Sequence, residues 1–326
     1  KMRMKRLLEI LLVVATMALL AGCVIGHDVD TSEEVELRVR AVMTQRTRTA
    51  PSVADIPAEE ESELSTTFPS DMELGLWAFS LPRDRQRAIF YPDAEPFATN
   101  EKFSHSEESG LWYPTKGLGW LYPQSLTLIG YAPYDLEVEY SHKHGLVLRD
   151  YDTANQSEVV DVLYTDYISD LHAEKHTKFV DVPFRHALTK VDMKAYTTLP
   201  DDYRYTIHKI YFEEVATRGT FYSQPSSEWI LEEELNELVI YDSEEGCVLV
   251  ANESIAIEGA EGVVLPQQVS GCIVVDVEVL HAGFASRLSF RTQPLKTIWE
   301  EGRYYTYTLS FTLDGVSIKE PSEKFE

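Results

Sequence analysis

The sequence predicts an all-β protein built of two sandwich domains in tandem, with at most short helices. Three observations carry this expectation. The chain holds 18 tyrosines and is rich in β-branched residues, with 44% apolar and 11% aromatic residues, a composition suited to pleated, half-buried surfaces. Apolar residues alternate with polar ones, or run in short unbroken stretches, rather than recurring at helical spacing. Pro92, Pro96, Pro114, Pro123 and Pro133 punctuate these runs in the way loops punctuate a sandwich. A chain of 326 residues is long enough for two cores of ordinary size.

Charge narrows the function classes. With 54 acidic against 29 basic residues the formal net charge is −25, which argues against nucleic acid or an anionic membrane surface as a partner, because such binding needs clustered Lys and Arg. Basic residues do cluster at the start, where Lys1, Arg3, Lys5 and Arg6 precede an apolar run from Ile10 to Leu20. That run is too short to stay in a bilayer as a mature spanning helix and reads as an export signal. It ends in Leu20-Ala21-Gly22-Cys23, which resembles a bacterial lipoprotein lipobox, so residues 1–22 are expected to be removed and Cys23 to carry a lipid such as palmitate.

A polar spacer, residues 23–34, leads into Val35-Glu36-Leu37-Arg38-Val39-Arg40-Ala41. Its alternation predicts a half-buried strand with Val35, Leu37, Val39 and Ala41 on the buried face. Arg46 and Arg48 follow in a polar segment ending at Pro51, where a trypsin-like protease would find access. A strand that one cut can separate from its domain is unusual. Residues 50–67, with Glu59, Glu60 and Glu61 at their centre, read as a linker.

Further strands are expected at residues 74–79, at 111–114 where Pro114 ends the run, and at 125–134. Residues 178–191 alternate over a length that suggests one strand or a bent pair. Leu199-Pro200-Asp201-Asp202 has turn chemistry, which places a boundary between domains at 35–200 and 201–326. In the second domain, strands are expected at 205–212, 218–221, 247–251, 262–268 and 273–280. The spacing of Ile230, Leu231, Leu235 and Leu238 predicts one short helix. Residues 299–313 supply a turn and a long strand with Tyr305, Tyr307, Leu309, Phe311 and Leu313 on one face, and residues 317–326 read as a short charged tail. The two domains are expected to be alike in architecture.

Together these motifs resemble the fimbrillin-like family, the subunits and accessory lipoproteins of type V pili. The resemblance rests on the lipobox, on Phe68-Pro69-x-Asp71-x-x-Leu74-Gly75, on Ile129-Gly130-Tyr131-Ala132-Pro133-Tyr134 and on Phe184-x-His186-Ala187-Leu188-x-Lys190-Val191. Leu265-Pro266-Gln267 and Trp299-x-x-Gly302-x-x-Tyr305-x-Tyr307-x-Leu309 extend it toward the C-terminus. It implies transthyretin-like sandwiches and a route: lipidation at Cys23, transfer to the outer membrane and cell surface, cleavage at Arg46 or Arg48, loss of the first strand, and polymerisation by donor-strand exchange with other pilin subunits. Tyr305 to Leu313 is then the candidate donor strand. The physics is that of an opened sheet edge with an apolar groove, a template for strand addition. The role implied is structural or adhesive, as fimbrial subunit, anchor or tip, with no cofactor.

The alternative is a monomeric surface lipoprotein that binds glycans or host proteins, with Trp77, Trp112, Trp120 or Trp229 as stacking platforms, although tryptophans in apolar runs usually belong to a core. Enzyme chemistry finds little support. His172 and His176 stand four apart, yet Ala173 occupies the place of the glutamate a zinc protease requires, so no metal is expected. His142-Lys143-His144 before Gly145 reads as a hairpin turn, and His186 as a structural residue. No nucleophile elbow and no phosphate-cradling loop occur. Cys247 and Cys272 either pair or remain two thiols, and neither has the surroundings of a nucleophile.

Overall fold

The computed structural model describes residues 35–44, 68–81, 95–120, 125–172, 178–200 and 202–325. The signal segment, Cys23, Arg46, Arg48, the 50–67 linker and His176 lie outside the described residues. Among those described there is no helix. The first half comprises β1 (Val35–Glu36), β2 (Val39–Met43), β3 (Leu74–Leu81), β4 (Glu95–Ser106), β5 (Leu111–Pro114) and β6 (Gly119–Trp120). It continues with β7 (Ser125–Ala132), β8 (Val138–Ser141), β9 (Gly145–Asp152), β10 (Leu163–Tyr164), β11 (Ile168–His172) and β12 (Val180–His186). The second half comprises β13 (Thr189–Thr197), β14 (Tyr203–Val215), β15 (Arg218–Tyr222), β16 (Glu228–Leu231), β17 (Asn236–Val248) and β18 (Ser254–Val264). It ends with β19 (Gln267–Val269), β20 (Ile273–His281), β21 (Phe284–Arg291), β22 (Thr297–Trp299), β23 (Arg303–Thr312) and β24 (Gly315–Phe325).

Eight strands of the first half form one sheet in the order β10-β12-β2-β5-β4-β3-β7-β11, and β10 also pairs with β7. That second pairing closes the sheet on itself, which removes two open edges. Period-two alternation decides what faces inward: Val39 and Ala41 of β2, Leu74, Leu76 and Ala78 of β3, Leu126 and Leu128 of β7, and Val180, Val182 and Phe184 of β12 share the enclosed core. β3 and β7 are buried on both faces, because Trp77, Phe79, Ile129 and Tyr131 point outward into a second core covered by the sheet β16-β15-β9-β8. The close approach requires glycine: a Cβ on Gly75 would lie 2.1 Å from the Tyr131 ring. The turn between β8 and β9 holds His142, Lys143 and His144, as the sequence suggests.

The second half is a sandwich of two four-stranded sheets, β18-β13-β23-β24 and β17-β14-β20-β21, closed over one core. β13 shows its logic plainly, with Thr189, Val191, Met193, Ala195 and Thr197 buried and the residues between them half-exposed. The two halves differ in architecture, one a closed sheet with a covering layer and the other a sandwich. Hydrogen bonding also crosses the expected division at 200/201 in both directions: β13 belongs to the second sandwich, while β15 and β16 join β9 and cover the outer core on β3 and β7.

The short helix expected from Ile230 to Leu238 does not form. β16 pairs with β15, and β17 begins at Asn236. Leu231 packs toward the core, Ile230 and Leu235 are exposed, and only Leu238 is fully buried, so the helical spacing was a coincidence across a strand, a loop and the next strand. The expected charged tail is instead β24, an antiparallel partner of β23.

Candidate functional site

The predicted first strand divides in two. β1 pairs with β6, and β2 lies between β12 and β5, in parallel register with β12 from Val39↔Val180 to Met43↔Phe184. Main-chain bonds mark the crossing: Leu37 N–H donates to Leu118 O at 2.9 Å, Val180 N–H to Arg38 O at 2.8 Å, and Thr44 N–H to Phe184 O at 2.8 Å. On the β5 side the register is a single pair, Val39↔Trp112. β2 is therefore held well along one edge and sparsely along the other.

Side chains do the rest. Leu37, Val39 and Ala41 are buried among Phe68, Trp112, Trp120, Val182 and Phe184, and Val35 is half-buried against them. Phe68 meets Trp112 edge-on at 5.4 Å and lies 4.9 Å from the Phe184 ring, flooring the cleft that β2 fills. The Trp112 indole N–H donates to Met72 O at 2.9 Å, which fixes the ring. At ~1.5–3 kcal/mol per large aliphatic side chain, Leu37 and Val39 together contribute about 3–6 kcal/mol of gross burial.

The outward face is charged. Arg40 reaches Asp181 through Nε to Oδ1 at 2.6 Å and Nη2 to Oδ2 at 3.0 Å, a bidentate pair across the β2–β12 ladder. That hydrogen bond raises the Arg40 pKa above the ordinary arginine value. The Arg40 guanidinium also lies over the Phe179 ring at 4.4 Å, and Arg38 pairs with Glu36 at 3.3 Å.

The other predicted residues are placed as follows. Tyr305, Tyr307, Leu309 and Phe311 are buried in β23, a central strand paired with both β13 and β24, whereas Leu313 is exposed in the turn before β24. Trp77, Trp112 and Trp120 are buried, and Trp229 is half-buried with its indole N–H donating to Ala187 O at 2.7 Å, so no two of these indoles form an exposed platform. His172 is buried against Asp170, its Nε2 at 2.8 Å from Oδ1. His186 hydrogen-bonds Asp161, the structural role its place in a strand suggests. Among the described residues no three His, Cys, Asp or Glu side chains converge as a metal site.

Cys247 and Cys272 are both free. Cys247 lies opposite Ile207, and Cys272 lies opposite Glu213, whose N–H donates to Cys272 O, so the two cysteines stand about six residues apart along β14, roughly 20 Å, beyond the span of a disulfide. Burial raises both thiol pKa values, which opposes reactivity.

The floor of the cleft, Phe68 and Trp112, and its parallel wall, β12, escape sequence reasoning. The strands that hold Trp112 and residues 180–186 are legible, but nothing local says that residue 180 pairs with residue 39.

Comparison with known proteins places this architecture. The sequence model of a family described as fimbrillin-like matches residues 65–321. Solved structures of candidate cell-adhesion proteins from Bacteroides uniformis and Bacteroides ovatus superpose with TM-scores of 0.52 and 0.53. Each is 14% identical in sequence and covers 90% of this chain and 98% of its own, a likeness of fold. No curated protein matches the sequence. A family match that runs from just before Phe68 almost to the end of β24 spans both halves of the chain, and the chain belongs to the fimbrillin-like family.

Proposed function

We propose that this chain is a cell-surface fimbrial protein, lipid-anchored through Cys23 on the outer membrane, that accepts a strand from another subunit once β1 and β2 have been removed. The observation that carries the reading is the placing of β2. It fills a cleft between β12 and β5, supplies buried apolar side chains at alternate positions, and continues directly toward Arg46 and Arg48. A cut at either arginine would detach residues 35–44 from the chain behind them. Their departure would leave the Val180–Phe184 edge unpaired and the cleft floor exposed, and an incoming strand with the same alternation would restore both.

Two supports come from elsewhere. The family match begins at residue 65, beyond both arginines, so the detachable segment lies outside the matched region. The outward charges, Arg40 on Asp181 above all, belong to an exposed pair of small energetic weight that a donor strand could replace. In the role of donor, β23 would have to break two ladders, whereas β24, the outer strand of its sheet and paired with β23, would break one. Donation through β24, with Val316 and Ile318 at alternate positions, therefore precedes donation through Tyr305 to Leu313.

The test is treatment of the lipid-free protein with an Arg-specific protease, followed by N-terminal sequencing and size measurement. Cleavage after Arg46 or Arg48, release of the strand and growth of oligomers that persist at high salt is expected, all absent in an Arg46→Ala/Arg48→Ala variant. Resistance at both arginines, or salt-resistant oligomers that form equally without cleavage, would overturn the proposal.

A further inference from the structure

The two outer strands of the second sandwich's β17-β14-β20-β21 sheet are unlike. β21 is exposed along nearly its whole length, with Phe284 at 78% and Leu288 at 44% of full exposure and Phe290 half-buried. Native chains usually blunt such an edge with a proline, a bulge or a covering loop. Among the described residues β21 has no proline, no bulge and no strand paired on its outer side, and its register with β20 is regular from Val274↔Arg291 to His281↔Phe284.

The ladder beyond β21 defines which groups are open. Thr292 N–H donates to Ile273 O, so hydrogen-bonded pairs recur at every second residue from there. The main-chain N–H and C=O groups of Ala285, Arg287, Ser289 and Arg291 then point away from β20. Charge singles the strand out further. In a chain of net charge −25, β21 carries two arginines and no carboxylate. Arg291 is paired with Glu213 at 2.6 Å, but Arg287 is 83% exposed and reaches Glu278 only at 3.9 Å.

The opposite edge is its complement. β17 carries Glu237, Asp242, Glu244 and Glu245 with no Lys or Arg, and all four carboxylates are exposed. Its pairing with β14 shifts register between Asn236 and Leu238, between Val239 and Tyr241, and between Asp242 and Cys247, and the run from Asn236 to Asp242 is close to β21 in length.

We propose that the free edge of β21 takes the β17 edge of a second copy of this chain, so that one antiparallel sheet continues from molecule to molecule. The strands of the sheet alternate in direction, and a second copy set beside the first in the same sense continues the alternation. Such a head-to-tail contact leaves a free β21 at one end and a free β17 at the other, the condition for an open filament rather than a closed dimer. Sheet twist of about −20 to −25° per strand turns each copy by roughly 80–100°, which carries successive first halves to different sides of the stack. This lateral contact uses no part of the β2 cleft.

The test uses the unlipidated, uncleavable chain, carrying Cys23→Ser, Arg46→Ala and Arg48→Ala, so that strand exchange at β2 is switched off. Sedimentation across a concentration series should show stepwise association that weakens with salt. Ser289→Pro should yield monomers with an unchanged melting temperature, because the N–H it removes faces the open side. Arg287→Glu should weaken association about fivefold, and adding Asp242→Lys to the same chain should restore it. A monomer at every concentration would overturn the proposal, as would association by Ser289→Pro and Arg287→Glu equal to that of the parent. If Ser289→Pro fails to fold by circular dichroism, Arg287→Glu with its Asp242→Lys rescue decides alone. Because cleavage is disabled throughout, failure here leaves the β2 proposal standing on its own test.

Discussion

Tyr307 lies at the centre of the second sandwich, where its hydroxyl accepts the Trp299 indole N–H at 2.8 Å and both rings pack against Phe212. The alternation of residues 303–312 is enough to turn Tyr307 inward, but the sequence gives no hint that Trp299, across a turn, will supply its hydrogen bond. Tyr307→Phe keeps the ring and orphans a buried donor, at a cost of about 1–3 kcal/mol. Burial also pushes the Tyr307 pKa up to about 12. A tyrosine in the unfolded chain ionises near pH ~10. The stability Tyr307 contributes is thus fully present below pH ~10 and is lost as pH rises toward the folded value. The gap between parent and Tyr307→Phe should therefore shrink between pH ~10 and ~12, by up to about 2–3 kcal/mol. Urea unfolding on both sides of that window checks it, and a gap that stays constant or widens would refute the assignment.

β2 sets the scale of the element. Its side-chain pattern was legible because period two depends only on neighbours in sequence. Its division from β1 at Leu37 and Arg38 was not, since that break exists to carry the chain from β6 to the β12 edge. The false helix over Ile230 to Leu238 fails for a related reason: spacing of three and four marks one face only when a single element spans it. If β2 closes the first core, protein cleaved at the arginines and stripped of the strand should bind a hydrophobic dye such as ANS far more strongly than the intact chain. A synthetic peptide of residues 35–44 should suppress that binding, with Leu37→Asp abolishing its effect. Equal dye binding before and after removal would mean the cleft collapses and accepts nothing.

Over the whole molecule the net charge of −25 is the strongest signal outside the cores. Ion pairs such as Arg40–Asp181 and Arg149–Glu139 are about half-exposed or more and of small energetic weight, so salt should cost little through them while relieving the general repulsion among carboxylates. Melting temperature is accordingly expected to rise as ionic strength goes from about 0.01 M to about 0.5 M, where the screening length falls from roughly 30 Å to a few Å. A falling melting temperature would show that the pairs outweigh the repulsion.

The sequence by itself determined the class of fold, the buried face of most strands, the hairpin at His142 to His144 and the structural place of His186. These depend on alternation, turn chemistry and composition, all of which act over a few residues. Only the tertiary structure decided that β2 lies beside β12, that β15 and β16 return to cover the outer face of β3 and β7, that Cys247 and Cys272 stand apart, and that β21 is left bare. Period two states which face a residue takes but not which strand it meets. Partner and register are chosen by the fit of distant side chains in a closed core, and that choice is made only when the whole chain packs.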